Sequence, residues 1–559
     1  MSVIHKSKTL QQALWRHSET IPDKTFVIYK HQSYSFRAWQ EWVDRIAGGF
    51  RALGVQAGEP VLLAMENCPE VYATLTALSL FGALPVAVNP LLKVSELQFM
   101  VDDLACSVAV ADRASRSALT EIAASSGRLR HLVVHESADT SGGVQDPLGS
   151  SLSPSGCQTL PFSDLVNRTQ AYDIVTDEAG PAIVLYNATA SGKPMATLVT
   201  QALLVQSWRG LQESLDLTSN EVCISALPNY HIFSIVAEYG QMLWLGGTLV
   251  LHDHFQPNTA LQHLAQYRGS WMCGVPAMFS VFADIAERTG VDLRAFRYGV
   301  IGGAPVDAAL LKRWEDLTGG TLLQAYGSTE VAVATLERPN QPRSPGSAGT
   351  CLPGCQLRIV DEDGAEVAAG VVGEILIRLA AAQAHYWHRP QAEQAAFRDG
   401  WLQMGDLGRL DADGNLYVVG RKKTMILYGG ENIYPSEVEP VLQAYPGVAE
   451  AVLLGIPTPI KGEEPIVCVR VDPSQTVDAE ALLHYAHTLL ADYKVPRRVL
   501  FMPEFPRAAG GSVRRYELLL QVLQSPEFKA RTKSTRLSDP SVRPQSVSPQ
   551  ENHELGDCP

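Results

Sequence analysis

The sequence predicts an α/β fold split into more than one domain, and three observations carry that expectation. At 559 residues the chain exceeds what a single hydrophobic core organises. Short apolar runs alternate with helical periodicity through the N-terminal half, the pattern of βαβ units and parallel sheets covered on both faces. The pattern then changes twice: to antiparallel β-structure near 350–420, and after GRKKT to a compact α+β stretch of about 100 residues ending near 525.

The elements follow in order. From Thr25 to Asp112 strands alternate with amphipathic helices; Trp39, Trp42, Val43, Ile46, Phe50 and Leu53 recur at helical spacing, and Gly54 supplies the stop. VLLAM (61–65), SVAVA (107–111), HLVVH (131–135), AIVLY (182–186) and VCISA (222–226) are apolar runs bounded by turn residues and read as strands. The run VYATLTALSLFGALPVAVNPL is interrupted by Gly82, Pro85 and Asn89, so it reads as a buried helix and a buried strand rather than a membrane span. Residues 137–156 are rich in Ser, Gly and Pro and read as a surface excursion. PGCQLRIVDEDGAEV and GEILIR alternate apolar and polar residues around an Asp-Gly turn at 363–364. Residues 526–559 carry almost no large apolar side chains and are expected to be disordered.

Composition excludes several classes. A net charge of −14 repels a nucleic-acid backbone. The N-terminus lacks the apolar core of a signal peptide, and the nine cysteines are scattered, so a soluble cytoplasmic protein with reduced thiols is expected. Cys351 and Cys355 sit four apart but have no second pair to complete a metal site.

Five local sequences stand in a definite order: YNATASGKPMA (186–196), VIGGAPV (300–306), QAYGSTE (324–330), WLQMGDLG (401–408) and GRKKTMILYGGENIYPSEVE (420–439). With LPNYHIF (227–233), PGCQLRIVD and HYWHRP (385–390), they resemble the adenylate-forming (ANL) superfamily, of acyl- or aryl-CoA synthetase type. The resemblance covers residues 10–525. It implies a large N-terminal domain (1–420) with two βαβ-type sheets and a distorted β-barrel, a hinge (421–424), a small mobile α+β C-terminal domain (425–525), and a tail (526–559).

The resemblance also implies roles that make chemical sense. Tyr326 stacks on adenine beside the Gly302–Gly303–Ala304 backbone, whose lack of bulk allows close approach, and Gly327 continues that wall. Thr329 bonds the α-phosphate, and Glu330 holds Mg²⁺, a hard cation that prefers carboxylate oxygen. Asp406 accepts both ribose hydroxyls, and Arg421 adds a ribose contact. Lys423 lies at the hinge about which the C-terminal domain swings. Tyr230, His231, Phe233, Val275 and Gly302 belong to the acyl pocket, with His231 as its gate. Gly429 and Gly430 open the GGENI loop along the pantetheine tunnel. The implied ligands are ATP with Mg²⁺, AMP or an acyl-adenylate, and CoA or a carrier-protein thiol.

Two departures from the family pattern fall on one half-reaction. The family phosphate loop reads Tyr-Thr-Ser-Gly-Thr-Thr-Gly-x-Pro-Lys-Gly; here Asn187, Ala188, Thr189, Ala190, Met195 and Ala196 replace hydroxyl, glycine and lysine positions. Lys193 is two residues off the lysine position. Near the C-terminus, PRAAGGSVRRYEL (506–518) places Ser512 where the family has its adenylation lysine, with Arg514 and Arg515 the nearest cations. Losing one such donor to the transition state costs about 2.7–4 kcal/mol. Three readings follow: an enzyme that joins acyl-AMP to CoA, with a separate enzyme supplying the adenylate; a complete ATP-dependent acyl-CoA ligase acting on a carboxylic acid; or a non-catalytic binding protein.

Overall fold

The apolar runs pair into two nine-stranded sheets in the computed structural model, which describes residues 7–136, 151–153, 155–175, 177–188, 194–303, 306–361, 363–380, 384–421, 425–458, 461–506, 513 and 515–525. In one sheet Pro60–Ala64 lies between Leu84–Ala87 and Val108–Ala111, all parallel, and His131–Val134 and Pro181–Ala188 extend it on either side. Pro60–Ala64 and Val108–Ala111 are buried at every position, which is why their sequences are continuously apolar rather than alternating. In the other sheet Thr25–Tyr29, Thr248–Leu251, Val222–Ser225, Trp271–Gly274, Tyr298–Ile301 and Thr321–Ser328 run parallel, with antiparallel strands at its edges.

Helix Phe36–Ala52 begins where Ser35 Oγ accepts the amide of Ala38, and it buries Trp39, Val43, Ile46 and Phe50 as its periodicity predicts. It packs on helix Pro69–Leu80. That second helix is the buried helix expected from its apolar run: every residue from Val71 to Leu80 is buried, because the helix is covered all round in the core that both sheets share. The stretch expected as a surface excursion contributes an edge strand, Ser151–Leu152, paired antiparallel with Gln158–Pro161; residues 137–150 lie outside the described residues.

A buried amide pair ties the C-terminal ends of the two sheets together. Asn67 Nδ2 donates to the Leu227 carbonyl at 2.7 Å, and Asn67 Oδ1 accepts the Asn229 backbone amide at 2.8 Å. Asn229 Nδ2 donates in turn to the Met65 carbonyl at 2.9 Å. Buried amides anchored to backbone at several points have few alternative geometries, so LPNYH is held in one place. The chain then enters a π-helical turn, Ser234–Tyr239, a form that concentrates near functional sites.

The antiparallel region forms a third sheet. Cys355–Val360, Gly373–Leu379 and Trp401–Leu410 pair in sequence, and the last strand then pairs on its other edge with Phe397–Arg398 and Leu416–Arg421. Gly364 takes φ +85° in the expected turn, which only glycine adopts without strain. The smaller C-terminal domain has its own five-stranded sheet, centred on Gly462–Val471, with helices Pro435–Gln443 and Ala479–Leu489 over one face and Arg515–Gln524 over the other. Cys351 and Cys355 are both free thiols. Among the described residues no helix is long and apolar enough to cross a membrane.

Candidate active site

The site grows from strand ends. Tyr298–Ile301 and Thr321–Ser328 end side by side, and the residues just beyond them open into a cavity of about 1100 Å³. This is the carboxyl edge of a parallel sheet, where open α/β folds bind ligands. Gly302, Gly303, Tyr326, Gly327, Thr329 and Glu330 line one wall; Tyr230, His231, Phe233 and Val275 line another; Asp406, Gly429 and Gly430 complete it. Residues expected from widely separated motifs therefore meet in one cavity.

Two glycines are required by geometry. Gly303 has φ +79°, a region closed to most side chains. A Cβ on Gly327 would stand 1.8 Å from the Ala332 carbonyl oxygen, so only a glycine lets the two strands of this hairpin approach.

Tyr326 donates its hydroxyl to Asp406 Oδ2 at 2.6 Å, joining the residues expected to hold adenine and ribose. Asp406 lies on a strand rather than a loop, directly opposite Arg421, of which only the backbone is described. Glu330 is buried at 7% exposure; its Oε1 accepts the Tyr386 hydroxyl at 2.8 Å and its Oε2 accepts Ser328 Oγ at 2.8 Å. Burial and the adjacent Glu330 charge push the Tyr386 hydroxyl well above its ordinary pKa, so Tyr386 stays a donor. A single carboxylate oriented by two hydroxyls and facing the cavity fits a Mg²⁺ ion that takes its remaining ligands from phosphate and water.

The C-terminal domain closes the cavity. Glu431, in GGENI, accepts the Tyr230 hydroxyl on Oε1 at 3.0 Å, and its Oε2 lies 3.4 Å from His231 Nε2. Burial pushes the Glu431 carboxyl up, but His231, Tyr230 and nearby Lys494 outweigh it and hold it below the usual carboxylate range. Lys494 Nζ bridges Glu96 at 2.6 Å and Glu437 at 2.8 Å. Sequence reasoning missed Glu431, Tyr386, Lys494 and Glu437 as cavity residues. Glu431 and Tyr386 stood inside quoted motifs; Lys494 carried no local signal, because its partner Glu96 is 398 residues away.

The segments flanking the altered phosphate loop are paired strands. Pro181–Ala188 pairs antiparallel with Pro194–Thr200, setting Met195 opposite Asn187. Met195 is buried and lines the cavity, so an apolar side chain stands where the family has its lysine. Arg515 makes two hydrogen bonds to Glu439, at 2.6 and 2.7 Å, and a third to the Leu453 carbonyl. Of the two cations nearest the lost lysine position, Arg515 therefore has its fork held inside the C-terminal domain. Residues 189–193 with Lys193, and Ala304, Lys423, Ser512, Arg514 and the tail 526–559, lie outside the described residues, as do the side chains of Asn187 and Ala188.

Comparison with known proteins agrees with this geometry. The AMP-binding enzyme family model matches residues 14–387, and that of the AMP-binding enzyme C-terminal domain matches residues 437–511. A feruloyl-CoA synthase from Amycolatopsis is 31% identical over 505 residues, covering 90% of this chain and 97% of the relative. The o-succinylbenzoate CoA synthetase of Bacillus subtilis, bound with a product analogue, OSB-NCoA, is 26% identical and overlays with a TM-score of 0.77, covering 90% of this chain and 98% of that one. ATP-bound MatB from Rhodopseudomonas palustris, also 26% identical, gives 0.66 while covering 93% of this chain and 99% of that one. With the motif residues assembled around one cavity, these matches make the chain a member of the AMP-binding enzyme family, an acyl-CoA ligase-type enzyme of the adenylate-forming superfamily.

Proposed function

We propose that this enzyme catalyses the thioester-forming half-reaction, acyl-AMP plus CoA to acyl-CoA plus AMP, with adenylation weak or absent. The observation that carries the reading is the charge of the cavity. Among the described lining residues, Glu66, Asp253, Glu330, Asp406, Glu431 and Glu437 are carboxylates, and only Lys461 and Lys494 are lysine or arginine. Lys494 is held between two glutamates, and Met195 stands at the family's phosphate-loop lysine position. Such a cavity is a poor host for the β- and γ-phosphates of ATP, whose binding and transfer depend on cationic donors.

The thioester step asks less of it. The thiol sulfur attacks the acyl carbonyl, the bond from that carbon to the phosphate oxygen breaks, and the thiol proton leaves with the AMP phosphate. What this needs is an oriented adenylate and a thiol aimed at its carbonyl, which proximity supplies. Tyr326, Thr329 and Asp406 on one wall and the Gly429–Gly430 turn on the other suit those two tasks. The acyl donor is an adenylate made elsewhere, released by a separate adenylating enzyme; CoA is the favoured thiol, and the cytoplasm the favoured compartment.

The test has two arms. Pyrophosphate exchange between ATP and a panel of aromatic and aliphatic carboxylic acids is expected to be negligible, and robust exchange overturns the proposal in favour of the complete ligase. Synthetic feruloyl-AMP and a series of other acyl-AMPs with CoA are expected to yield thioester and AMP. No thioester from any of them points instead to a binding protein. Met195→Lys combined with Ser512→Lys is expected to raise exchange by about tenfold or more if cationic charge is what is missing.

A further inference from the structure

One buried cation takes part in the contact between the two domains. Lys494 sits at the end of the short turn Asp492–Lys494 in the C-terminal domain, and its side chain is 8% exposed. It reaches Glu437, in the first turn of helix Pro435–Gln443 of its own domain, and Glu96, in helix Val94–Leu104 of the N-terminal domain. Ala491, three residues earlier, is fully buried in an N-terminal core cluster with Leu62, Ala64 and Val86. Tyr493 packs against that cluster and against the C-terminal core as well, and it lines the cavity. Residues 491–494 are thus a plug of one domain seated in the other.

The two arms of the bridge differ in what holds them. Glu437 and Lys494 belong to the same domain and stay together wherever that domain goes. The Glu96 arm exists only while the domains are in the arrangement seen here. A buried charge is costly unless each partner is compensated, so separating the domains leaves Lys494 short of one carboxylate and forces Glu96 to be rehydrated. The second inter-domain contact, Glu431 to Tyr230 and His231, lies at the cavity itself.

We infer that Lys494 is a positioning residue: with Glu96 and Glu437 it forms an ionic latch that holds the C-terminal domain where Gly429, Gly430 and Glu431 face the cavity, and so favours the thioester-forming step. The inference deepens the proposed function and rests on it for the word thioester-forming; the latch itself is a statement about domain position.

The full-length enzyme tests both. Paramagnetic labels at exposed Glu121 in the N-terminal domain and exposed Glu480 in the C-terminal domain report the inter-domain distance. Two variants are compared. Glu96→Gln removes the state-specific arm. Because Glu96 Oε2 also accepts the Lys93 amide at 3.0 Å, the helix start is kept intact in the second variant, Lys494→Met with Glu437→Gln, which also leaves no unpaired charge within the C-terminal domain. Each is expected to broaden the distance distribution, and with synthetic acyl-AMP to raise the KM for CoA by about tenfold while kcat at saturating CoA changes less. A distribution as narrow as wild type in either variant overturns the latch. Broadening in both, with no thioester made even by the wild type, keeps the latch and overturns the proposed function.

Discussion

Glu238 shows how far a single side chain departs from its ordinary chemistry in this core. It is fully buried in the π-helical turn, and Ser225 Oγ donates to its Oε2 at 2.9 Å. Burial raises its pKa from 4.5 to about 8, against hydrogen bonds that pull it down, so it carries a proton at neutral pH. A raised carboxyl binds its proton more tightly in the folded chain. Its contribution is therefore complete below pH 4.5 and is lost as pH rises to about 8. Glu238→Gln is expected to leave stability near pH 4 almost unchanged and to raise it by roughly 3–5 kcal/mol at pH 8, measured by urea unfolding at both values. At this scale the sequence is legible where chemistry is declared by a motif, as at Tyr326, Glu330 and Asp406. It is not legible at Glu238, because no local pattern distinguishes a buried glutamate from an exposed one.

Among the elements, the hairpin Thr321–Ser328 with Ala332–Leu336 is the one whose geometry the site depends on. Gly327→Ala would drive a methyl group against the Ala332 carbonyl, and the strands must part to accept it. A loss of about 1–3 kcal/mol in urea unfolding is expected, with weakened AMP binding by calorimetry, since Tyr326 is the neighbouring residue. Tyr386 belongs to a short strand, His385–Tyr386, paired with Thr197 and Leu198 beyond the Met195 hairpin. Tyr386→Phe removes the hydroxyl that donates to Oε1 of buried Glu330 and is expected to cost about 1–3 kcal/mol. Strands and helices were readable because burial imposes a period on the sequence. Pro69–Leu80 was readable as a buried helix for the complementary reason: a helix enclosed on all sides has no polar face to show. The two ends of the phosphate-loop motif lie in paired strands, Pro181–Ala188 and Pro194–Thr200, which reach further than the turn-like composition of 186–196 implies.

At the scale of the whole molecule, the domain arrangement sets which residues face the cavity. Its seam includes an exposed pair, Lys93 with Asp492 at 3.5 Å, and the buried Lys494 bridge. Salt weakens exposed pairs and spares buried ones. Raising ionic strength to about 1 M is therefore expected to leave the distance between labels at Glu121 and Glu480 unchanged, and a clear shift would show that exposed charges hold the domains together.

The sequence by itself determined the family, the two-domain plan, the strand-forming runs and many of the residues that line the cavity. It could do so because catalysis and tight turns demand particular side chains at particular spacings, and those demands are local. Only the tertiary structure decided that Met195 lines the cavity, that Arg515 is committed to Glu439, and that Glu431 and Lys494 join the two domains. Charge compensation and burial depend on distance in space, and residues separated by hundreds of positions in the chain announce neither.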